Sequence, residues 1–240
     1  MRIECLGSSS LGNSYIIEFD DGKVLLLEAG VPWKTISKAL GMRRNDLIGC
    51  LITHEHQDHA KSVKDLLANG IKCYMSEGTS DALGITKNLY TKTILQSLPF
   101  MIDHNRKITG YQGNHNAAQP LIWTIIDKLS KESMVFFTDS AFTKQRFDKF
   151  NYYLVEDNYL KELAEHSDHK HGTVGHLGHE SLKKMLSLTD LSRANFIILL
   201  HLSASNSNEE FMVNDIRKMT GVEVDVADKG KVWKLPFTPF

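Results

Sequence analysis

The stretch LITHEHQDHAKSV, residues 51–63, places three histidines and an aspartate within six positions: His54, His56, Asp58 and His59. The apolar run LIGCLIT (47–53) before it reads as a buried strand that delivers the chain directly to His54. In extended chain, residues two apart point the same way, so His54 and His56 can reach one ion. Asp58 and His59 fall where the chain turns into a helix, and they point towards a second ion. A single structural zinc takes four ligands and usually draws on cysteines. A set of nitrogen and oxygen ligands that the segment cannot complete alone predicts further ligands downstream and an open position for water.

The same logic, polar metal-binding types at the ends of apolar strands, selects three more residues. MVFFTDS ends in Asp139, a carboxylate able to bridge two ions; NFIILLH ends in His201; GNHNAAQPLIWTI presents His115 in a tight loop before a strand. Each of these alone reads equally well as a cap or a core residue. Their shared position at strand ends is what groups them.

Elsewhere, short β-type runs alternate with helices. MRIECL and SYIIEF are strands, DDG after Phe19 is a hairpin turn, and KVLLLEAG is a strand buried on both faces. WKTISKALG forms a short helix that stops at Gly41. HAKSVKDLLANG is a helix with Val63, Leu66 and Leu67 on one face and Gly70 at its C-cap. IKCYMS is a strand, Gly78 to Leu83 a helix, and residues 77–112 otherwise mix loop and strand. The second half supplies the strands LIWTIID, MVFFTD, YYLVED, NFIILLH and VEVDVA, and a helix SLKKMLSL with Leu182, Met185 and Leu186 on one face. HSDHKHGTVGHLGH (166–179) is polar and irregular, and His166, His169, His171 and His179 read as a mobile surface stretch. Strands interleaved with helices, one run in each half, imply an α/β fold in which two similar sheets face one another with helices outside. We expect one domain spanning residues 1–240.

The totals agree with a globular protein: 42% of the 240 residues are hydrophobic and 24% charged, which suffices for a sizeable core. No apolar run approaches membrane-span length. The start lacks the basic and long apolar regions of a signal peptide. Cys5, Cys50 and Cys73 are scattered and odd in number, so we expect reduced core thiols in a cytoplasmic protein. A net charge of −1 argues against a broadly basic nucleic-acid binder but leaves room for a local basic groove. Arg43 and Arg44, Lys144 and Arg146, and Lys183 and Lys184 read as solvated faces; any that lines the approach to the metals would position phosphates without reading sequence.

The chain resembles the metallo-β-lactamase superfamily, and within it the YycJ/WalJ group, relatives of RNase Z and of the β-CASP nucleases. The resemblance runs over nearly the whole length and rests on LGSSSLGNSYIIE, LLLEAG, ITHEHQDH, HNAAQP, FTDS, LVEDN, GHLGHESL and HLSASN. It implies an α/β four-layer αββα sandwich with the metals at one edge between the sheets. It also implies that His54, His56 and His115 hold one ion, that Asp58, His59 and His201 hold another, and that Asp139 bridges them. Asp58 and His176 are the candidate catalytic residues, His176 matching a family position where it would bind phosphate or protonate the leaving oxygen. The chain departs from the family pattern in residues 77–112, which match it poorly, and at three further points. Glu28 replaces an Asp and is expected to orient a loop or ligand. Asn116 replaces the Asp after the third-motif His, and GHLGH stands where GHLSN is usual.

Two divalent ions, Zn²⁺ or Mn²⁺, can share a water and lower its pKa from ~15.7 towards ~7. That chemistry fits phosphodiester hydrolysis, and would also suit a β-lactam or thioester. GSSSLGNS is either a turn joining two strands or a loop whose backbone N–H groups approach an anion. The resemblance implies a DNA exonuclease of 5′-to-3′ polarity, with hydrolysis of small phosphodiesters such as cyclic nucleotides as the alternative and a structural metal module as a third reading. Homo-oligomers are compatible with all three.

Overall fold

The computed structural model describes residues 1–165 and 175–235. Its strands form two seven-stranded sheets. The first sheet holds β1 (Arg2–Gly7), β2 (Ser14–Glu18), β3 (Val24–Leu27), β4 (Leu47–Leu51), β5 (Cys73–Met75), β6 (Thr91–Thr93) and β14 (Val232–Lys234), in the order β14-β1-β2-β3-β4-β5-β6. The second holds β7 (Phe100–Met101), β8 (Arg106–Gln112), β9 (Leu121–Asp127), β10 (Glu132–Phe137), β11 (Tyr152–Glu156), β12 (Phe196–Leu200) and β13 (Glu223–Val226), in the order β13-β12-β11-β10-β9-β8-β7.

The two sheets are built alike. The pairing is antiparallel from β14 through β3 in the first sheet and from β10 through β7 in the second. From β3 to β6 and from β10 to β13 the pairing is parallel. Parallel neighbours need crossovers, which most of the helices supply. In the first half these are α1 (Trp33–Leu40), α2 (Gln57–Ala60), α3 (Val63–Ala68) and α4 (Glu77–Ala82). In the second they are α5 (Lys161–Glu165), α6 (His179–Ser187) and α7 (Glu209–Thr220).

Side-chain alternation sorts the strands into layers. Leu25 and Leu27 of β3 and Tyr152 and Leu154 of β11 face the core between the sheets, together with Ile3, Trp123 and Phe136. Their neighbours Val24 and Leu26 face outward onto Ile36, Leu40, Val63 and Leu66 of the first helical layer. Tyr153 and Val155 face Leu182, Leu186, Met212 and Ile216 of the second. The four-layer αββα arrangement expected from the sequence is thus the observed one.

The expected elements recur with small shifts. The helix expected over 59–70 is two, because the chain bends at Lys61 and Ser62, where the Ser62 hydroxyl donates to Val31 O at 2.7 Å. Gly70 takes the left-handed conformation, φ +74°, and closes α3. Three elements were not anticipated: β14, which pairs with β1, the short α5, and α7, the longest of the described helices. Cys5, Cys50 and Cys73 are buried free thiols. Among the described residues no helix is long and apolar enough to cross a membrane.

Candidate metal centre

The polar residues singled out above gather where β3, β4, β10, β11 and β12 release the chain at their C-terminal ends, the place where open α/β sheets form their crevices. Three of them, Glu28, Asp139 and His201, adopt positive φ of 62°, 46° and 55° although none is glycine. Non-glycine residues avoid this region, and such conformations persist where the surroundings over-determine them. The strain turns each side chain back over its strand end towards a common point.

Three groups of ligand-competent atoms meet there, each within 4.8 Å: two hold the residues expected as ligands, His54, His56, His115 and Asp139, and Asp58, His59, His201 and Asp139, and the third joins Asp139 and His201 to Glu156 and His176. Asp139 belongs to all three. Its Oδ2 lies 3.7 Å from His54 Nε2, 3.6 Å from His115 Nε2 and 3.2 Å from His59 Nε2, and its Oδ1 lies 3.3 Å from His201 Nδ1. Asp58 Oδ2 lies 3.3 Å from His59 Nε2 and 3.5 Å from His201 Nε2. All seven residues named as ligands from the sequence are therefore brought together.

The ring orientations suit a cation. Thr53 Oγ1 sits 2.9 Å from His54 Nδ1, and the Gly175 carbonyl 3.0 Å from His115 Nδ1. Each contact occupies the ring's far nitrogen and leaves Nε2 for an ion. His54 Nε2 and His201 Nε2 are buried without a hydrogen-bond partner, and His115 Nε2 and His56 Nδ1 face each other at 3.1 Å. Nitrogens left over in this way, beside two carboxylates, are the donor set of a divalent ion that prefers imidazole and oxygen.

Neighbouring residues fix these ligands. Asn13 Nδ2 lies 3.2 Å from His59 Nε2 and 3.3 Å from the Asp58 carbonyl, and Asn13 N donates to that carbonyl at 2.7 Å. Ser8 Oγ accepts from His201 N at 3.0 Å. The GSSSLGNS loop thus clamps two ligand segments, and the N–H groups of Leu11, Gly12 and Asn13 are spent within the chain. Glu28 accepts from Thr53 N at 3.1 Å and lies 3.7 Å from His59 Nδ1, the orienting place expected for it. Glu55, inside the HEH triplet, accepts from Ala118 N at 2.7 Å and so fastens the His115 loop to the motif. Asn116 is exposed, and the Gly175 carbonyl supplies the contact to His115.

Glu156 was not singled out from the sequence. It is fully buried at the end of β11, with Oε1 2.7 Å from His176 Nδ1 and 3.2 Å from His201 Nδ1, while Oε2 accepts from Leu177 N at 3.1 Å. His176 therefore stands beside the ligand groups, its Nδ1 3.7 Å from Asp139 Oδ1. His179 corrects an expectation. It is only 2% exposed, held between Asp157 (2.9 Å) and Asp215 (3.1 Å), because it opens α6 and turns inward. His166, His169 and His171 lie outside the described residues.

Burial and charge set the protonation states. Burial, with the charges of neighbouring histidines, pushes His54 and His115 down. Burial opposes charge on Asp139, but the His201 and His59 rings hold it well below the usual carboxylate range. Burial likewise opposes charge on His201, but Asp139, Asp58 and Glu156 push it up to about 10. His59 is raised in the same way, with Asp139 the chief partner. The centre thus holds protons where ligands would bind a cation, and a divalent ion would displace them.

With this fold and this centre, the chain belongs to the metallo-β-lactamase superfamily, whose family model matches residues 9–227, and its chemistry is that of a metal-dependent hydrolase. Among individual relatives it is similar to a Streptococcus pneumoniae protein named exodeoxyribonuclease WalJ, at 28% identity over 99% of this chain and 97% of that one. It is also similar to Bacillus anthracis exodeoxyribonuclease YycJ, at 25% identity over 88% and 85%. The crystal structure of the metallo-β-lactamase fold protein YhfI from Bacillus subtilis superposes with a TM-score of 0.76 at 18% identity, covering 97% of this chain and 99% of that one.

Proposed function

We propose that the protein is a DNA exonuclease that uses two divalent ions, Zn²⁺ or Mn²⁺, and removes nucleotides in the 5′-to-3′ direction. The observation that carries this reading is the place of Asp139 in both ligand groups, which a single structural ion would not need. The exodeoxyribonuclease names of two relatives that match most of the chain support DNA as the substrate. His54, His56 and His115 would hold one ion and Asp58, His59 and His201 the other, with Asp139 between them. Bound there, the ions would supply a water of lowered pKa and would neutralise charge on the phosphate.

The remaining chemistry falls to the chain. Asp58 is held well below the usual carboxylate range: burial opposes this, but the His201 and His59 rings outweigh it. With 22% of its side chain exposed, it is the ligand carboxylate that reaches the open side, where it accepts a hydrogen bond from the attacking water. His176 donates a proton to the leaving oxygen. Burial lowers its pKa, but the Glu156 carboxylate on Nδ1 outweighs burial and raises it, which favours the protonated ring a proton donor needs. Glu156 spans His176 and His201 and so ties the proton donor to a ligand.

Linear DNA carrying a label at either the 5′ or the 3′ end tests the reading in Mn²⁺ buffer. Release of the 5′ label as mononucleotide, ahead of the 3′ label, is the expected result. Intact DNA together with rapid turnover of cyclic nucleotides would replace it with the small-phosphodiester reading.

A further inference from the structure

The basic pairs noted in the sequence have different fates. Arg43 is held by Glu4 and Glu18, Lys183 by Asp215, and Arg146 by Asp148. Among the described residues Lys144 and Lys184 have no ion-pair partner, and both line one cavity of about 500 Å³. Two of its lining residues adjoin the candidate metal centre along the chain. Ala141, two residues past Asp139, lines one side, and Leu177, next to His176, lines another. The Ala141 N–H donates to Asn114 O beside His115, and Leu177 N to Glu156, so both walls are fixed to the residues that carry the chemistry.

Phe142 stands in this wall, 54% exposed, and with Thr143, Lys144 and Gln145 also lines a second cavity of about 360 Å³. The segment 142–145 is thus shared by two clefts. Phe142 lies three positions past Asp139, so their Cα atoms lie within ~11 Å, about three nucleotides of stacked strand at ~3.4 Å each. Buried Phe147, edge-on to Tyr111 and with its carbonyl bonded to the Tyr153 hydroxyl, anchors the segment beneath. An exposed aromatic face flanked by unpaired ammonium groups is complementary to a nucleobase between phosphates. It fits neither a small anion nor an apolar peptide as well.

Resting on the exonuclease reading above, we propose that Phe142, with Lys144 and Lys184, is a stacking and phosphate subsite for single-stranded DNA entering the metal centre. Phe142 supplies a face on which a base a few nucleotides from the scissile bond stacks, and the lysines neutralise the adjoining phosphates. None of the three is among the ligands or the proton donor.

The test measures fluorescence anisotropy of labelled dT12, and of an abasic sugar-phosphate strand of equal length, with EDTA present so that nothing is cleaved. Native protein, Phe142→Ala, Phe142→Trp and Lys144→Ala/Lys184→Ala are compared. The expected result is that Phe142→Ala weakens dT12 binding about 5- to 100-fold, leaves the abasic strand unaffected, and is rescued by Phe142→Trp. The double lysine variant should lower the slope of log affinity against log salt by ~0.7 for each phosphate that is no longer neutralised. Turnover of bis(p-nitrophenyl) phosphate with Mn²⁺ should be unchanged in all variants. Native protein that degrades DNA while Phe142→Ala binds dT12 equally well would overturn the subsite and leave the nuclease reading standing. Native protein that neither binds nor degrades DNA would remove both. Sedimentation of the same proteins covers the other occupant: a native dimer that Phe142→Ala dissociates, with dT12 binding intact, would make this face a contact between copies and overturn the proposal.

Discussion

Glu156 and Asp157 are adjacent acids at the end of β11, and strand alternation sends them to opposite layers. Glu156 continues the inward-facing series of Tyr152 and Leu154 and reaches His176 and His201; Asp157 follows Tyr153 and Val155 outward to His179. Glu156→Gln should lower activity about 10–100-fold while leaving the fold intact, since partners that orient ligands are worth that much. Because Glu156 raises the His176 pKa, its loss should also move the basic limb of the kcat profile to lower pH; an unshifted limb would assign Glu156 a purely structural role. His176→Ala should cost about 10²–10⁴-fold in kcat, most on substrates with a poor leaving group. The residues that gather at the candidate centre were legible in the sequence because HxHxDH spacing and strand-end position are local signals. Glu156 was not, because nothing local tells which of two neighbouring acids turns inward.

At the scale of elements, α6 is fixed by its first residue. The chain Asp157–His179–Asp215–Lys183 ties β11, α6 and α7 together. Burial works against charge on His179, but Asp157 and Asp215 outweigh it and raise its pKa. Asp157 is itself pushed up to about 6, chiefly by burial. A raised folded-state pKa stabilises below the unfolded value and is lost as pH rises through the folded one. The stability that His179 confers should therefore be greatest near pH 6 and decline towards pH 9. His179→Asn should lower Tm by ~4–8 °C at pH 6, for a loss of ~2 kcal/mol, and by clearly less at pH 9. A gap that widens with pH would refute this account. The sequence misled here because GHLGH follows a polar run, whereas burial is decided by the helix that His179 opens. The helix α7 was overlooked despite an Asn208 N-cap, acids in its first turn and Gly221 at its end, all readable helix signals.

Across the whole molecule, the centre depends on close contact between the hairpin side of the first sheet and the HxHxDH segment. A Cβ on Gly30 would lie 1.6 Å from the Asp58 carbonyl oxygen, and Ala29 N bonds His59 O at 2.8 Å. Gly30→Ala should therefore cost ~3 kcal/mol or more and lower metal affinity, which a melt with and without Mn²⁺ would register. Chelation should lower the Tm of the native protein. The drop should be larger at pH 8 than at pH 6, because the raised His59 and His201 must lose protons to bind. The sandwich was legible from two runs of strands with alternating burial. Residues 77–112 were not, since β6 and β7 are short edge strands whose pairing depends on partners distant in sequence.

The proposal that Asp139 joins two metal sites is open to a direct measurement, the metal content by native mass spectrometry. The native protein, loaded with Zn²⁺ or Mn²⁺ and freed of excess, should carry two ions per chain, and folded Asp139→Ala should lose at least one of them together with DNA hydrolysis. One ion per native chain, or two in a fully active Asp139→Ala, would contradict the account.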